Sequence, residues 1–292
     1  MEAQIGNKLL LVTPNCADLA KPNVEIKRFP DGETYVRIDE ETEGKHVTVL
    51  HRCYPKQDSS LLQLLLIGNA VAPFAKSLTA VVPYLPYARQ DKAWKTGEVK
   101  SAEIVCNLLV SSGYTNLVTY DCHFLKKGGE HKRDKLTILN KSMGKMLEDY
   151  LSRQIADDPV IVSPDSGAGY LVEGRGHAMK KVRGEYVTDD KTAYREVKEL
   201  SMDFSVNGRE VIVLDDMIAG GGTMERAVRL CIEAGAKTVR CGATHGLFLN
   251  FADQRIKEAG AQEVIASDTV QCPYSKVSIK EQLFTAPLSS FF

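Results

Sequence analysis

The stretch VIVLDDMIAGGGTMERAVRLCIEAG, residues 211–235, indicates the fold class of this chain of 292 residues. Its first four residues are apolar and typical of a buried β-strand, and Asp215 and Asp216 follow them directly. Three glycines and Thr223 come next, and a helical pattern then occupies residues 224–233. A strand, a glycine-rich loop and a helix in this order predict an α/β fold with a mainly parallel sheet.

The glycine-rich loop, residues 220–223, is predicted to bind a phosphate group. Glycines let successive backbone N–H groups turn toward an anion, and the helix that follows adds the partial positive charge of its N-terminus. The carboxylates of Asp215 and Asp216 suit hydroxyl groups or a metal ion. The residues alone also fit a tight strand-to-helix turn that only caps the helix.

The rest of the chain alternates short β-rich runs with helical patterns, which favours repeated βα units. Predicted strands are residues 8–12, 47–50, 78–82, 116–120, 160–162, 211–214, 237–241 and 263–266. Predicted helices are residues 59–76, 102–111, 141–154 and 224–233. We place a domain boundary near residue 150, which gives domains 1–150 and 151–292. Residues 184–207 are polar with weak periodicity and predict a mobile flap or an excursion from the sheet.

Composition and charge exclude several classes of protein. With 37 basic and 38 acidic residues the net charge is -1, which removes the general attraction of a nucleic-acid or acidic-membrane binder. The longest apolar stretch, residues 61–74, is interrupted by polar residues and a proline and is shorter than the roughly 20 residues that span a bilayer. The first residues lack a basic and apolar secretory signal, so we expect a cytoplasmic protein. Seven cysteines without a C-x-x-C pair predict small buried side chains rather than disulfides or a zinc site.

Polar residues follow three further predicted strands at the point where each ends. Residues 83–92 (PYLPYARQDK), 121–123 (DCH) and 163–167 (SPDSG) are these segments. Ligands bind beyond the carboxyl ends of the strands in open α/β sheets. We therefore expect the three segments and the glycine-rich loop to meet in one cleft.

Residues 213–223 resemble the ribose-5-phosphate loop that type I phosphoribosyltransferases share with the ribose-phosphate pyrophosphokinases. The other segments favour the second family. Residues 86–92 resemble its ATP-binding segment and residues 29–33 (FPDGE) resemble its adenine-contacting loop, and neither is expected in an ordinary phosphoribosyltransferase. Residues 121–123 match its D-x-H motif, and residues 163–167 resemble its S-P-D-x-G motif. Residues 181–183 stand where the family has its catalytic K-x-R, so the motifs occur in family order over nearly the whole chain.

This resemblance implies two phosphoribosyltransferase-like domains, each with a mainly parallel sheet flanked by helices. It implies transfer of the diphosphoryl group of ATP to O1 of ribose 5-phosphate, giving 5-phosphoribosyl diphosphate (PRPP) and AMP, with Mg²⁺ as cofactor. The implied partners are ATP and ribose 5-phosphate, with no nucleic acid and no membrane. A homo-oligomer is also implied, in which residues 29–33 complete the nucleotide site of a neighbouring subunit.

Residue by residue, the resemblance assigns four sets of contacts. The catalytic cations, which would neutralise charge developing in the transition state, are Lys181 and Arg183. The ATP contacts are Phe29, Asp31, Glu33, Arg89, Gln90, Asp91, Lys92 and His123. The ribose 5-phosphate contacts are Asp215, Asp216, Ala219, Gly220, Gly221, Gly222 and Thr223. The residues around Mg²⁺ are His123 and Asp165.

The chain departs from the family pattern in two places. Ala219 stands where the family usually has Asp or Ser, and Gly220 stands where it has Thr. A lost hydroxyl removes one hydrogen bond to the sugar phosphate, so we expect weaker binding of ribose 5-phosphate by up to about 1.5 to 3 kcal/mol. The connection between Asp165 and Lys181 is also shorter than the family's, which makes Lys180 a second candidate for the catalytic lysine.

The individual residues also fit simpler roles. His123 suits a structural hydrogen bond, Asp165 a helix cap and Asp31 a hairpin turn. Lys181 and Arg183 suit a solvated basic face. Two other functions also stay open: a phosphoribosyltransferase that uses PRPP and a base, and a pyrophosphokinase-like subunit without turnover.

Overall fold

The computed structural model describes residues 4–5, 7–188 and 193–283. In it the chain divides into two units. Side chains are described except for residues 4, 5, 181–188 and 193–199. The first unit consists of the chain as far as Lys141 together with residues 279–283. The second unit is Ser142–Ser278. The division therefore precedes the helix Gly144–Ser152, whereas the expected boundary near residue 150 falls inside it. This helix packs against strands of the second unit, which explains its place there.

A seven-stranded sheet is the centre of the first unit. Its elements and those around it are β1 (Gln4–Ile5), β2 (Lys8–Val12), β3 (Val24–Arg28), β4 (Thr34–Ile38), β5 (His46–Leu50), α1 (Gln57–Val71), β6 (Ser77–Val81), α2 (Ser101–Ser111), β7 (Asn116–Tyr120), β8 (Gly129–Arg133) and β9 (Leu136–Lys141). The sheet order is β1-β2-β5-β6-β7-β9-β8. Within this sheet the neighbouring strands β2, β5, β6, β7 and β9 are parallel. The edge strands β1 and β8 are antiparallel to their neighbours.

The interior strands of this sheet are buried along nearly their whole length, as parallel strands covered on both faces require. They share one apolar cluster with Leu64 and Ile67 of α1 and with Val105 and Leu109 of α2. Strands β3 and β4 form a separate antiparallel hairpin. Apolar side chains of the hairpin pack against the same cluster, so the hairpin is anchored to the first unit.

A six-stranded parallel sheet is the centre of the second unit, in the order β11-β10-β14-β15-β16-β17. The elements are α3 (Gly144–Ser152), β10 (Val160–Ser163), β11 (His177–Ala178), β12 (Lys180–Thr188), β13 (Ala193–Ser201), β14 (Glu210–Ile218), α4 (Gly222–Glu233), β15 (Thr238–Gly246), α5 (Ala252–Glu258), β16 (Ala261–Ser267) and β17 (Ser275–Val277). The last helix, α6 (Lys280–Leu283), belongs to the first unit. Helix α4 buries Met224, Ala227, Val228 and Cys231, a spacing that presents one apolar face to the core strands.

The predicted strands 8–12 and 116–120 have the same bounds in the structure, and the prediction of mainly parallel sheets is confirmed. The predicted helix 59–76 is α1 and ends earlier, at Val71, because Pro73 has no N–H to continue the helical hydrogen bonds. The predicted strand 211–214 is β14 and continues to Ile218, because it pairs with β15 as far as Gly246.

The predicted excursion from the sheet at residues 184–207 is confirmed. Strands β12 and β13 form a two-stranded antiparallel sheet of their own, and residues 189–192 between them lie outside the described part of the chain. All seven cysteines are described, and none forms a disulfide. Six of them are buried, as expected, and burial raises the pKa of Cys16 to about 11 and that of Cys231 to about 12. Among the described residues, no helix has both the length and the apolar character that crossing a bilayer requires.

Candidate active site

The first unit places two of the predicted segments at one edge of its sheet. Strands β6 and β7 are parallel neighbours, and the N–H of Val82 donates to the carbonyl of Val118 at 2.9 Å. Residues 83–92 leave the end of β6, and residues 121–123 leave the end of β7. The segments that carry Arg89 and His123 therefore follow neighbouring strands.

The segment after β6 begins buried and ends exposed. Tyr84 and Leu85 are buried, whereas Arg89 and Lys92 are exposed and so able to meet the phosphates of a nucleotide. Tyr87 takes a left-handed backbone conformation at φ 62°. Its hydroxyl donates to the carboxylate of Asp58 in the first turn of α1, and this hydrogen bond raises the pKa of Tyr87.

Two candidate ATP contacts in this segment, Gln90 and Asp91, are half-buried. The start of α2 holds Gln90 by both its side chain and its backbone. The hydroxyl of Ser101 donates to Oε1 of Gln90 at 2.5 Å, and the N–H of Ala102 donates to the backbone carbonyl of Gln90 at 3.2 Å. Gln90 thus fixes the end of the segment to a helix, a role that its sequence position did not suggest.

The D-x-H segment is a tight turn that the neighbouring strand β9 holds. The N–H of Asp121, which is buried, donates to the carbonyl of Lys141 at 2.8 Å. The N–H of Cys122 donates to Oδ1 of Asn140 at 2.9 Å. His123 follows, half-buried, and Nζ of Lys126 donates to its carbonyl at 2.9 Å. The imidazole is therefore presented from a rigid backbone.

The third candidate ATP segment, residues 29–33, is the tip of the β3–β4 hairpin and is not part of the seven-stranded sheet. The N–H of Gly32 donates to the carbonyl of Phe29 at 2.9 Å, and the N–H of Glu33 donates to Oδ1 of Asp31 at 3.0 Å. Gly32 has φ 94°, which favours glycine, so the hairpin turn suggested for Asp31 and Gly32 is confirmed. Phe29 is 48% exposed and makes an edge contact with Tyr35, with ring centroids 5.7 Å apart.

The second unit brings the remaining segments together at the ends of β10 and β14, which are parallel neighbours. Asp165 follows β10 and its Oδ1 accepts the N–H groups of Gly167 at 2.7 Å and Ala168 at 3.2 Å. The capping role suggested for Asp165 is thus present, although it caps a turn rather than an α-helix. These two bonds fix the direction of the carboxylate.

Asp215 and Asp216 lie within β14, not after it, because the strand continues beyond them. They are only 7% and 8% exposed, and the N–H of Asp216 donates to Oδ1 of Asp215 at 2.9 Å. Carboxylate oxygens accept hydrogen bonds from hydroxyl groups, so both side chains suit a sugar.

The glycine-rich loop is the short turn that joins β14 to α4. Gly221 is the N-cap of α4 with φ 76°, and a Cβ at this position would lie 2.7 Å from the Cβ of Ala252, so only glycine fits. The first N–H groups of a helix have no partner inside it. With Gly220 and Gly222 on either side, the loop therefore presents backbone donors at the positive end of a helix of 12 residues, an arrangement that suits a phosphate.

The candidate catalytic residues Lys181 and Arg183 have a described backbone in β12, where the ladder to β13 changes register between Val182 and Arg183. Their side chains lie outside the described part of the structure. The alternative lysine, Lys180, is described: its ammonium pairs with Asp203 at 3.0 Å, and both side chains are exposed. Among the described residues, no group of three or more His, Cys, Asp or Glu side chains is arranged to hold a metal ion.

Sequence reasoning missed several residues that support these segments. Asn140 holds the D-x-H turn through a side chain that no local pattern marked. A buried cluster lies at the ends of β15 and β16, where Nδ1 of His245 is 2.9 Å from Oγ1 of Thr269 and the hydroxyl of Ser267 donates to the carbonyl of Thr244 at 2.6 Å. Thr244 and His245 lie in β15 beyond the predicted strand end at residue 241, and Ser267 and Thr269 follow the predicted strand 263–266. The single cleft expected for all four segments stays a prediction.

Comparisons with known proteins agree over most of the chain. The family model for the N-terminal domain of ribose phosphate pyrophosphokinase matches residues 7–113, and the model for the phosphoribosyl transferase domain matches residues 138–264. The ribose-phosphate pyrophosphokinase of Methanobrevibacter smithii is 36% identical over 274 residues, which are 89% of this chain and 90% of that protein. That of Thermococcus kodakarensis is 35% identical over 271 residues, with the same coverage of 89% and 90%.

A solved structure is similar over nearly the same range. The phosphoribosylpyrophosphate synthetase from Mycobacterium smegmatis superposes with a TM-score of 0.75 at 30% sequence identity. The match covers 95% of this chain and 96% of that one. The similarity therefore extends over both units.

Proposed function

This chain belongs to the ribose-phosphate pyrophosphokinase family, and we propose from that premise that it transfers the diphosphoryl group of ATP to ribose 5-phosphate. O1 of the sugar forms a bond to the β-phosphorus of ATP and loses its proton. The bond from that phosphorus to the bridging oxygen of the α-phosphate breaks, and AMP leaves with the electron pair. The products are PRPP and AMP.

One observation carries the proposal on the sugar side. Two buried carboxylates, Asp215 and Asp216, lie in β14 shortly before the glycine-rich turn at the N-terminus of α4. Backbone N–H groups and the helix dipole suit the 5-phosphate, and the carboxylates suit the ribose hydroxyls. The presence of the N-terminal pyrophosphokinase domain supports, as the ligand of this loop, a sugar phosphate that accepts a diphosphoryl group.

The ATP side of the proposal rests on the first unit. Arg89 and Lys92 are exposed cations on the segment that follows β6, whose parallel neighbour β7 leads to His123, and they would bind the phosphates of ATP. Gln90 and Asp91 would position the nucleotide at the same edge. Phe29, Asp31 and Glu33 would contact the adenine from the hairpin tip, where the ring of Phe29 is half exposed.

Diphosphoryl transfer needs alignment of the reactants and cations that neutralise the developing charge. Lys181 and Arg183 are the proposed catalytic cations, and their role rests on the family motif. We propose Mg²⁺ as the cofactor, which would neutralise the phosphate oxygens of ATP when bound. His123 in the first unit and Asp165 in the second are each proposed to contact Mg²⁺ through its water shell. The fixed carboxylate of Asp165 fits this role, and Mg²⁺ requires few protein ligands because it keeps several waters.

The direct test is incubation of the purified chain with ATP, Mg²⁺ and ribose 5-phosphate that carries ¹⁸O at the C1 hydroxyl. We expect AMP and PRPP in equal amounts, with the label retained between C1 and the β-phosphorus, as detected by mass spectrometry. Omission of ribose 5-phosphate or of Mg²⁺ should stop the formation of AMP.

Other outcomes would identify the two alternatives. ATP binding without any AMP at saturating substrates would indicate a subunit without turnover, which the substitutions at Ala219 and Gly220 make a specific alternative. Consumption of PRPP with a nitrogenous base would indicate a phosphoribosyltransferase. AMP without PRPP would indicate simple hydrolysis of ATP and would contradict the proposed acceptor.

The family also suggests an assembly and a location. We propose a homo-oligomer in the cytoplasm, with residues 29–33 of one subunit completing the nucleotide site of another. The exposed hairpin tip suits such a contact because its backbone is already ordered by its own hydrogen bonds. A monomer under assay conditions, measured by sedimentation of the active protein, would contradict this part of the proposal.

A further inference from the structure

The side chain of Arg255 in α5 joins three parts of the second unit. One of its terminal nitrogens, Nη2, donates to the carbonyl of Gly220 in the glycine-rich loop. Its Nη1 donates to the carbonyl of Asn250 at 2.5 Å, and its Nε donates to Oε2 of Glu225 in α4 at 3.2 Å. A planar guanidinium with donors on every side is suited to such a junction.

The bond to Gly220 controls the direction of a donor on the opposite side of the peptide. In a trans peptide the carbonyl oxygen of one residue and the N–H of the next point in opposite directions. By holding the carbonyl of Gly220, Arg255 therefore aims the N–H of Gly221. The N–H of Leu249 holds the carbonyl of Ala219 at 2.9 Å in the same way, which aims the N–H of Gly220.

Side-chain packing does little to order this part of the loop. A Cβ built on Gly220 or on Gly222 would meet no atom within 4 Å. Consecutive glycines have a large conformational freedom, which must be lost when their N–H groups converge on an anion. Hydrogen bonds to the carbonyls restrict that freedom before a ligand arrives, and such preorganisation favours binding.

Glu225 keeps the guanidinium in place. One of its carboxylate oxygens, Oε2, accepts from Arg255, and the other, Oε1, accepts from Arg229 at 3.2 Å on the same helix. Arg229 makes this contact from an exposed position and does not reach the loop. The two arginines therefore share one carboxylate, and only Arg255 contacts the glycine-rich loop.

We propose that Arg255, oriented by Glu225, is a positioning residue for ribose 5-phosphate, because it fixes the peptide that presents the N–H of Gly221 to the 5-phosphate. This inference rests on the proposed function and adds to it a residue outside the family motifs described above. It acts through the backbone and is not a catalytic residue.

The test compares Arg255→Ala with Arg229→Ala, which removes an equal charge and the other partner of Glu225. We expect Arg255→Ala to raise KM for ribose 5-phosphate by about tenfold, the loss expected for a charge-assisted hydrogen bond, and to leave KM for MgATP within about twofold. Arg229→Ala should leave both constants near those of the wild type. Arg255→Lys should lie between, because an ammonium keeps the charge without the planar geometry.

Equal changes in both KM values, or no change in KM for ribose 5-phosphate, would overturn the inference. If Arg255→Ala does not fold, as judged by circular dichroism, Arg255→Lys and Glu225→Gln carry the same comparison. Calorimetric binding of ribose 5-phosphate without ATP tests the role of Arg255 separately from the proposed function. A wild type that makes no PRPP refutes the proposed function, whereas equal sugar-phosphate affinity in the wild type and Arg255→Ala refutes the role of Arg255.

Discussion

The hydroxyl of Ser101 donates to Oε1 of Gln90 at 2.5 Å, across the gap between the candidate ATP segment and the start of α2. With the bond from the N–H of Ala102 to the carbonyl of Gln90, this contact fixes the end of the segment at both its side chain and its backbone. Arg89 lies immediately before this fixed point and Lys92 shortly after it. The position of the two exposed cations therefore depends on Gln90.

Ser101→Ala is expected to raise KM for MgATP by about three- to tenfold, because one neutral hydrogen bond that orders the segment is lost. KM for ribose 5-phosphate should be unchanged, and initial-rate kinetics with each substrate varied would measure both. Ser111→Ala, an exposed position at the other end of α2, is the matched control. An equal effect of both substitutions would show that Ser101 acts only through the stability of the helix.

Lys181→Ala is expected to lower kcat by at least about a hundredfold while MgATP binding stays nearly intact. A contact formed mainly in the transition state contributes to turnover and not to ground-state binding. Rapid-quench measurement of AMP formation and equilibrium binding of MgATP would separate the two quantities.

The adjacent Lys180 provides the control for this prediction. Its ammonium is paired with Asp203 and exposed, and the pairing lowers the pKa of that carboxyl, so Lys180→Ala should leave kcat within about threefold of the wild type. A large loss in Lys180→Ala with a small one in Lys181→Ala would transfer the catalytic role to Lys180.

The residues at the strand ends were predictable because an apolar run followed by polar residues is a local pattern. Asp215 and Asp216 illustrate this, since they directly follow the predicted strand 211–214, although the observed strand β14 continues past them to Ile218. The residues that support the site follow a different rule. Arg255 reaches Gly220 across a separation of 35 residues, and Asn140 reaches Cys122 across 18, so only the tertiary fold brings these pairs together.

Elements of the fold that depend on contacts distant in sequence were also not predictable. Strands with continuous apolar character, such as β2 and β7, were predicted with the observed bounds. The hairpin of β3 and β4 was not predicted as strands, because its residues are mostly half-buried or exposed and carry several charges. Their apolar contacts are with the core of the first unit, which local periodicity does not reveal.

Stability should decrease in mildly acidic solution because of His51. Burial lowers its pKa from 6.5 to about 4, with Nδ1 3.0 Å from the hydroxyl of Thr13 and Nε2 2.8 Å from the carbonyl of Ser60. The unfolded chain binds the proton more tightly than the folded protein does. The stabilisation of the folded state by neutral His51 is therefore complete above pH 6.5 and is lost as the pH falls toward 4. We expect a loss of about 2 kcal/mol in the free energy of unfolding between pH 7 and pH 5.

His51→Gln should remove this part of the pH dependence, since a neutral amide does not titrate. Urea denaturation at both pH values would measure the difference. His46→Gln serves as the comparison, because His46 is half-buried and lies 2.7 Å from the hydroxyl of Ser77 in the same sheet. A pH dependence in His51→Gln equal to that of the wild type would assign the effect to other groups.

Gly220→Thr is expected to lower KM for ribose 5-phosphate by about tenfold, because it restores a hydroxyl that can donate to the charged 5-phosphate. The structure has room for the side chain, since a Cβ at Gly220 meets no atom within 4 Å and the backbone there is not left-handed. Gly221 contrasts with it, because its φ of 76° and its contact with Ala252 exclude a side chain. Gly220→Val is the matched control, since valine has the same shape without the hydroxyl. If valine lowers KM as much as threonine, the gain comes from a stiffer loop and not from a hydrogen bond, and the hydroxyl argument is wrong.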